Sequence, residues 1–302
     1  MRVALVLGSG GARGYAHIGV IAEILARDHE IVGVSGSSMG ALVGGLHAAG
    51  RLAEYAEWAG SLTQRAMLRL LDPSLTAAGV LRAEKILEAV RDIAGDVDVE
   101  DLPVPFTSVA TDMLAGRSVW IQRGPLHDAI RASIAIPGVI APHVLDGRLL
   151  ADGGILEPIP IGPVAALDAD AVIAVSLSGE DPAARPGERL GRRWRATSAL
   201  LDTKAAKTVL DTPSGRAMFG RFVDDVDDDE TAPRLGGFEV MNRTIDIAQG
   251  ALARHALAAY PVDLLIEIPR TVCRSLEFHR AVEVIGVGRA VARQALEDWE
   301  EV

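Results

Sequence analysis

Positions 3–7, Val3-Ala4-Leu5-Val6-Leu7, are apolar without interruption, and Gly8 ends the run. An apolar run with no polar alternation is the pattern of a strand covered on both faces. Over 15–27, Ile18, Ile21, Ala22 and Leu25 fall on one face of a helix. Ile31-Val32-Gly33-Val34-Ser35 then reads as a second strand, and 39–49 as a second helix. Strand, helix, strand, helix with short connections requires parallel strands with helices packed over them. The expected fold class is a three-layer α/β/α sandwich around a mainly parallel central sheet.

Further along, 51–90 is mostly helical in pattern, broken at Asp72-Pro73 and Gly79. Residues 106–110 and 118–122 alternate like strands on either side of an Ala115-Gly116-Arg117 turn. The patterns also predict helices over 126–134 and near 162–167, a buried strand over 171–177, a helix over 239–257, a strand over 262–268 and a closing helix over 276–299. Composition shifts after residue 178. The next stretch carries Asp181-Pro182, Arg185-Pro186-Gly187, a basic cluster over 189–195 and an acidic run over 224–230. The expected organisation is therefore a main domain over 1–178, a lid-like or mobile insertion over 179–236, and a helix-strand-helix segment over 237–302 that completes the main domain.

Composition narrows the function classes. Hydrophobic residues make up 49% of the 302 positions and charged residues 24%, ordinary for a globular protein. Thirty Lys and Arg stand against 41 Asp and Glu, a net charge of −11. That balance argues against sequence-independent nucleic-acid binding, which depends on cations that neutralise phosphates. Cys273 is the only cysteine, so neither a disulfide framework nor a cysteine-built zinc site is expected. The start of the chain lacks the long apolar region and cleavage site of a secretory signal. No stretch reaches the roughly 20 apolar residues that span a bilayer. The reading is a cytoplasmic protein whose membrane contact, if any, is peripheral.

Three motifs carry chemistry. Gly36-Ser37-Ser38-Met39-Gly40 fits G-x-S-x-G between a strand and a helix. Small residues at Gly36 and Gly40 let the chain turn tightly enough to project the Ser38 hydroxyl, and the helix N-terminus beyond favours developing negative charge. Gly8-Ser9-Gly10-Gly11-Ala12-Arg13-Gly14 joins the first strand to the first helix. Such a loop can turn backbone N–H groups toward an anion, which serves either a phosphate or the oxyanion of acyl transfer. A dinucleotide fingerprint would need glycine where Arg13 stands, although Asp28 and Glu30 lie at the spacing of its acidic residue. Ala151-Asp152-Gly153-Gly154 is on its own most simply a turn, but a buried Asp152 there could take the Ser38 proton. The histidines and the acidic run over 224–230 match neither a zinc-protease nor an EF-hand pattern. His255 and His279 lie in helical patterns and read as surface or packing residues, and His17 as a helix-packing residue. Trp58 and Met67, at helical spacing, read as core.

Together, and in this order, the three motifs resemble the patatin-like phospholipase family. Arg131-Ala132-Ser133-Ile134-Ala135-Ile136-Pro137-Gly138 and Pro158-Ile159-Pro160 are similar to segments the family carries on either side of its aspartate. The resemblance covers about 3–177. It implies a serine acyl hydrolase with Ser38 as nucleophile and Asp152 as general base. It also implies an oxyanion loop over Gly10, Gly11, Ala12, Arg13 and Gly14, in which Arg13 shapes the loop. The implied substrate is a lipid or other acyl ester, with no cofactor, no metal and no nucleic acid, and the helical region 53–71 is a candidate wall for an acyl pocket. Two positions depart from the family pattern: Ser9 replaces the first glycine of the loop, and Glu157 stands where asparagine is common. Two alternatives stay open: a nucleotide-binding protein using the Gly8–Gly14 loop, and a catalytically silent interaction protein on the same fold. The sequence does not fix the oligomeric state.

Overall fold

The computed structural model describes residues 1–63, 66, 84–137, 139–180 and 237–301. The expected insertion, apart from its first two residues, lies outside them, as do Met67 and most of the outer part of 53–71. The chain falls into two units, Met1–Glu180 with Gln249–Val302, and Asp181–Ala248. Of the second unit, the described residues hold only the first half of one helix, over 237–248.

The main unit is built on an eight-stranded sheet. Its strands are β1 (Arg2–Leu7), β2 (Glu30–Ser37), β3 (Phe106–Asp112), β4 (Arg117–Ile121), β5 (His143–Leu145), β6 (Arg148–Asp152), β7 (Ala171–Gly179) and β8 (Leu264–Pro269). Their hydrogen-bonded pairings run β5-β6-β3-β2-β1-β7-β8, with β4 also paired to β3. The pairings from β3 through β2, β1 and β7 to β8 are parallel, whereas β4, β6 and β5 join by antiparallel ladders. The expected parallel core is therefore present, and a small antiparallel meander extends it at one side.

The apolar run of β1 shows why the sheet is covered on both faces. Val3, Leu5 and Leu7 belong to one core, with α1 (Ala16–Ala26), α2 (Met39–Ala48) and α5 (Leu126–Ser133) packed on it. Ala4 and Val6 belong to a second, smaller core with Ile159, Ile161, Val164 and Ala253. Val3 to Leu7 are all fully buried, and burial of a Val or Leu is worth about 1.5–3 kcal/mol. Between these elements lie α3 (Leu52–Ser61) and α4 (Glu84–Ala94), and α6 (Gly237–Ala259) and α7 (Ala281–Glu300) follow β7 and β8. Trp58 packs against the first core and stacks on Tyr55. Buried Glu23 of α1 ties α7 to the domain through Arg289 at 3.1 Å and Arg293 at 3.4 Å.

Two expectations are corrected, and one element was not foreseen. The chain before Asp152 forms a hairpin, β5–β6, that the apolar pattern did not reveal. The helix near 162–167 is a single 3-10 turn over Gly162–Val164, because Gly162-Pro163 opens it and too few residues follow for a full helix. The closing helix starts at Ala281, five residues later than its pattern, after a 3-10 turn over Phe278–Arg280.

Candidate active site

The site lies where β1, β2 and β6 end. Ser37, the last residue of β2, pairs with Val109 of β3, and Asp152, the last residue of β6, pairs with the next residue, Ala110. β4 pairs with Ser108 to Asp112, so it occupies the opposite edge of β3. β2 and β6 thus lie on one edge of β3, run in opposite directions and meet end to end. This register brings Ser38 and Asp152 together.

The Ser38 hydroxyl donates to Asp152 Oδ2 at 2.5 Å. Both residues are buried, at 2% and 4% exposure. The other carboxylate oxygen, Oδ1, accepts the Gly154 amide at 2.7 Å. Burial pushes the Asp152 carboxyl up to about 6, while its bonds from Ser38 and Gly154 pull the other way. Burial wins because a charged carboxylate loses more solvation than two hydrogen bonds restore. A carboxylate of that basicity is still ionised at neutral pH and can accept a hydroxyl proton.

Ser38 sits at φ 57°, ψ −123°, between β2 and α2. That backbone is sterically disfavoured for a residue with a Cβ. Close packing enforces it: a Cβ on Gly36 would fall 2.3 Å from the Gly40 carbonyl oxygen, and one on Gly40 would fall 2.0 Å from that of Leu7. Ser133, at the end of α5, clamps the turn. Its hydroxyl accepts the Ser38 amide at 2.9 Å and donates to the Val109 carbonyl at 2.5 Å.

The glycine loop after β1 is pinned on three sides. The Gly8 amide donates to the Val175 carbonyl at 3.0 Å and the Ser9 amide to that of Pro158 at 2.8 Å. A ring nitrogen of His17 lies 2.8 Å from the Gly8 carbonyl. Burial lowers the pKa of His17 to about 4, so the ring is neutral and donates Nε2–H. Gly11 adopts φ 57°, and a Cβ there would press on the Ser275 carbonyl oxygen at 2.4 Å. That same oxygen accepts the Ala12 amide at 2.8 Å.

Arg13 is buried and folds back on its own loop. Its Nε donates to the Gly10 carbonyl at 3.1 Å, Nη1 to Leu177 O at 3.2 Å and Nη2 to Ser275 Oγ at 3.3 Å. In a trans peptide the carbonyl and the following amide point in opposite directions. Arg13 therefore draws the Gly10 carbonyl toward itself and turns the Gly11 amide away. The Gly10 and Gly11 amides hydrogen-bond to no described residue, whereas the Ala12 amide is engaged by Ser275. Gly14 packs where a Cβ would meet Met39 Cβ at 2.3 Å, which holds the loop against the start of α2.

Glu157 binds outward, to the Ser118 hydroxyl and to Trp120 Nε1, both on β4. Ser9 and Gln249 flank the turn, since a Cβ on Gly154 would lie 2.3 Å from Ser9 Oγ and 2.8 Å from Gln249 Nε2. His255 is exposed and His279 half-buried; the acceptor of the Ser38 hydroxyl is the aspartate. Sequence reasoning assigned no role to Ser133 or Ser275. Ser133 lies in the segment quoted for its family likeness, but nothing in the pattern around Ser275 marks it. Among the described residues, no group of three or more His, Cys, Asp or Glu side chains is placed to hold a metal, and no helix is long and apolar enough to cross a membrane.

The sequence profile of the patatin-like phospholipase family matches residues 5–165. An uncharacterized NTE family protein of Mycobacterium tuberculosis is 62% identical over 99% of this chain and 92% of its own length. Neuropathy target esterase of Drosophila melanogaster is 32% identical over 59% of this chain, which spans 13% of that protein. Human patatin-like phospholipase domain-containing protein 6 is likewise 32% identical over 59% of this chain and 14% of its own. Among solved structures, VipD from Legionella pneumophila aligns with 98% of this chain and 66% of its own at a TM-score of 0.44 and 14% identity.

Proposed function

The chain belongs to the patatin-like phospholipase family, and on that premise we propose that it is a serine acyl hydrolase acting on carboxyl esters of lipids through Ser38 and Asp152. The observation that carries this reading is the 2.5 Å bond from the Ser38 hydroxyl to a buried carboxylate.

In the proposed reaction Ser38 Oγ attacks the ester carbonyl as Asp152 Oδ2 takes the hydroxyl proton. The negative charge that develops on the carbonyl oxygen is stabilised by the Gly10 and Gly11 amides, with Arg13 holding the loop in place. Collapse of the tetrahedral intermediate expels the alcohol, which leaves with the proton held by Asp152, and the acyl group stays on Ser38. A water molecule then attacks the acyl-enzyme, Asp152 accepting its proton, and the carboxylic acid departs as Ser38 regains its hydrogen. The side chain of Arg13 bears on the nucleotide-binding alternative. It turns into its own loop instead of outward to a phosphate, which favours the oxyanion role.

The test is covalent labelling of Ser38 by a fluorophosphonate, with hydrolysis of p-nitrophenyl esters of graded chain length. Wild type should label and turn over, and Ser38→Ala and Asp152→Asn should do neither at a comparable rate. Equal turnover by all three proteins would overturn the assignment.

A further inference from the structure

Two polar side chains beside the Ser38–Asp152 pair have no part in the reaction so far. Ser9, at the start of the glycine loop, and Gln249, in the second half of α6, both reach the turn that follows Asp152. The point where a Cβ on Gly154 would stand lies 2.3 Å from Ser9 Oγ and 2.8 Å from the Gln249 amide nitrogen. Glycine at 154 thus leaves room for both. The backbone holds Ser9 in place, since its amide donates to the Pro158 carbonyl at 2.8 Å. The helix holds Gln249: Ala253, one turn on, is buried in the smaller core with Ala4, Val6 and Ile159. Both residues belong to the main unit.

Among the described residues, neither the Ser9 hydroxyl nor the Gln249 carboxamide has a hydrogen-bond partner. Ser9 is only 9% exposed, and Gln249 is half-buried. Buried polar groups are ordinarily paired, with protein, water or a ligand. An unpaired hydroxyl and an unpaired carboxamide at one spot in a candidate active site mark a place for a ligand atom.

The proposed reaction fixes which half of an ester comes there. Asp152 hands the Ser38 proton to the departing alcohol, so the alcohol oxygen must lie within reach of that carboxylate. Gly154 is the residue whose amide binds Asp152 Oδ1, at 2.7 Å. Side chains packed on Gly154 therefore border the alcohol half, whereas the Gly10 and Gly11 amides attend to the carbonyl oxygen. A hydroxyl and a carboxamide are uncharged and can each donate and accept, which suits a neutral hydroxyl. The nearby charges are committed elsewhere: Arg13 binds Gly10, Leu177 and Ser275, and Glu157 binds Ser118 and Trp120.

We infer that Ser9 and Gln249 form a subsite for a free hydroxyl on the alcohol half of the ester, so that the protein selects acyl esters of polyols over esters of plain alkanols. The inference rests on the hydrolase reading and adds to it the class of alcohol. It also gives a use to the departure at position 9, where glycine would supply no hydroxyl.

The test compares kcat/KM for glycerol monobutyrate and propyl butyrate, which share an acyl chain and a three-carbon alcohol and differ in the extra hydroxyls. Wild type should favour the glycerol ester by more than hydroxide does. The ratio of the two values should fall about two- to tenfold in Ser9→Ala and likewise in Gln249→Leu, the worth of one neutral hydrogen bond. The double variant should lie nearest to the hydroxide ratio. The substitutions sit on separate elements, and thermal unfolding registers whether each variant is folded, so either one carries the test. A wild-type ratio kept by both variants would overturn the subsite. So would equal losses on both esters, because the pair would then only hold the site in shape. If wild type hydrolyses both esters with no preference beyond that of hydroxide, the subsite fails and the hydrolase reading stands. If it hydrolyses no ester and resists the fluorophosphonate, the hydrolase reading fails and the subsite with it.

Discussion

Ser38 and Asp152 are 114 positions apart in the chain and 2.5 Å apart in space. The strand that both flank sets this distance: Val109 of β3 fixes the end of β2, and Ala110 fixes the end of β6. Ser133 fastens the arrangement, because one hydroxyl bonds both the Ser38 amide and the Val109 carbonyl. Sheet register and helix end together place the hydroxyl on the carboxylate, with little left to side-chain flexibility.

Activity should therefore follow the ionisation of Asp152. Its carboxyl is raised to about 6 by burial, and only the ionised form can take the Ser38 proton. On a soluble ester, kcat/KM should fall about tenfold per pH unit below about pH 6 and flatten above about pH 7. A profile flat down to pH 4 would mean that this carboxylate is not the base.

The same shift has a cost in stability. The folded pKa of Asp152 lies above its ordinary value of 3.8. Its contribution is therefore most favourable below about pH 4 and is lost as pH rises through about 6. Asp152→Asn removes the charge and with it this loss, on the order of 3 kcal/mol at neutral pH. Thermal unfolding should show the variant gaining on wild type between pH 4 and pH 7, with the difference closing toward pH 4. A constant difference across that range would contradict the buried-charge account.

How much of this was legible beforehand follows from which interactions are local. The run Val3 to Leu7 announces a doubly covered strand because both of its faces are apolar. The elbow announces itself because Gly36 is demanded by its contact with Gly40 inside one turn, whereas Gly40 answers to the close approach of Leu7 from β1. The β5–β6 hairpin stayed hidden: β5 is three residues long and half-exposed, so it shows no periodicity. Ser275 stayed hidden for another reason. It serves the loop mainly through its backbone carbonyl, which any residue could present. Ser9 and Glu157 were legible as departures, but their outcome was not. The carboxylate of Glu157 finds Ser118 and Trp120 on a strand whose position depends on the whole sheet.

Backbone strain at the elbow makes a second stability contrast. Ser38 holds φ 57°, ψ −123°, a conformation that typically costs a residue with a Cβ about 1–3 kcal/mol. Ser38→Ala and Ser38→Gly both remove the hydroxyl, so both should be inactive, but only glycine relieves the strain. The greater entropy of glycine in the unfolded chain offsets part of the gain, about 0.5–1 kcal/mol. Ser38→Gly should unfold at a higher temperature than Ser38→Ala by a net of roughly 1 kcal/mol. Equal melting temperatures, or a more stable alanine variant, would show that the turn is not strained.

Arg13 offers the sharpest test of the loop, because its bonds to Gly10, Leu177 and Ser275 reach in different directions. A lysine at this position keeps the charge but cannot spread donors in a planar fork. Arg13→Lys should free the Gly10 carbonyl and let the Gly11 amide drift from where the oxyanion forms. Loss of one well-placed donor typically lowers kcat by about 10²–10³. Ground-state binding of the ester does not use that donor in the same way, so KM should change little. The variant also leaves buried carbonyls without their donor, each worth about 1–3 kcal/mol, so unfolding must be measured alongside and kcat compared well below the melting transition. A folded Arg13→Lys protein with unchanged kcat would show that the guanidinium does not aim the loop. A large rise in KM at constant kcat would place Arg13 in substrate binding instead.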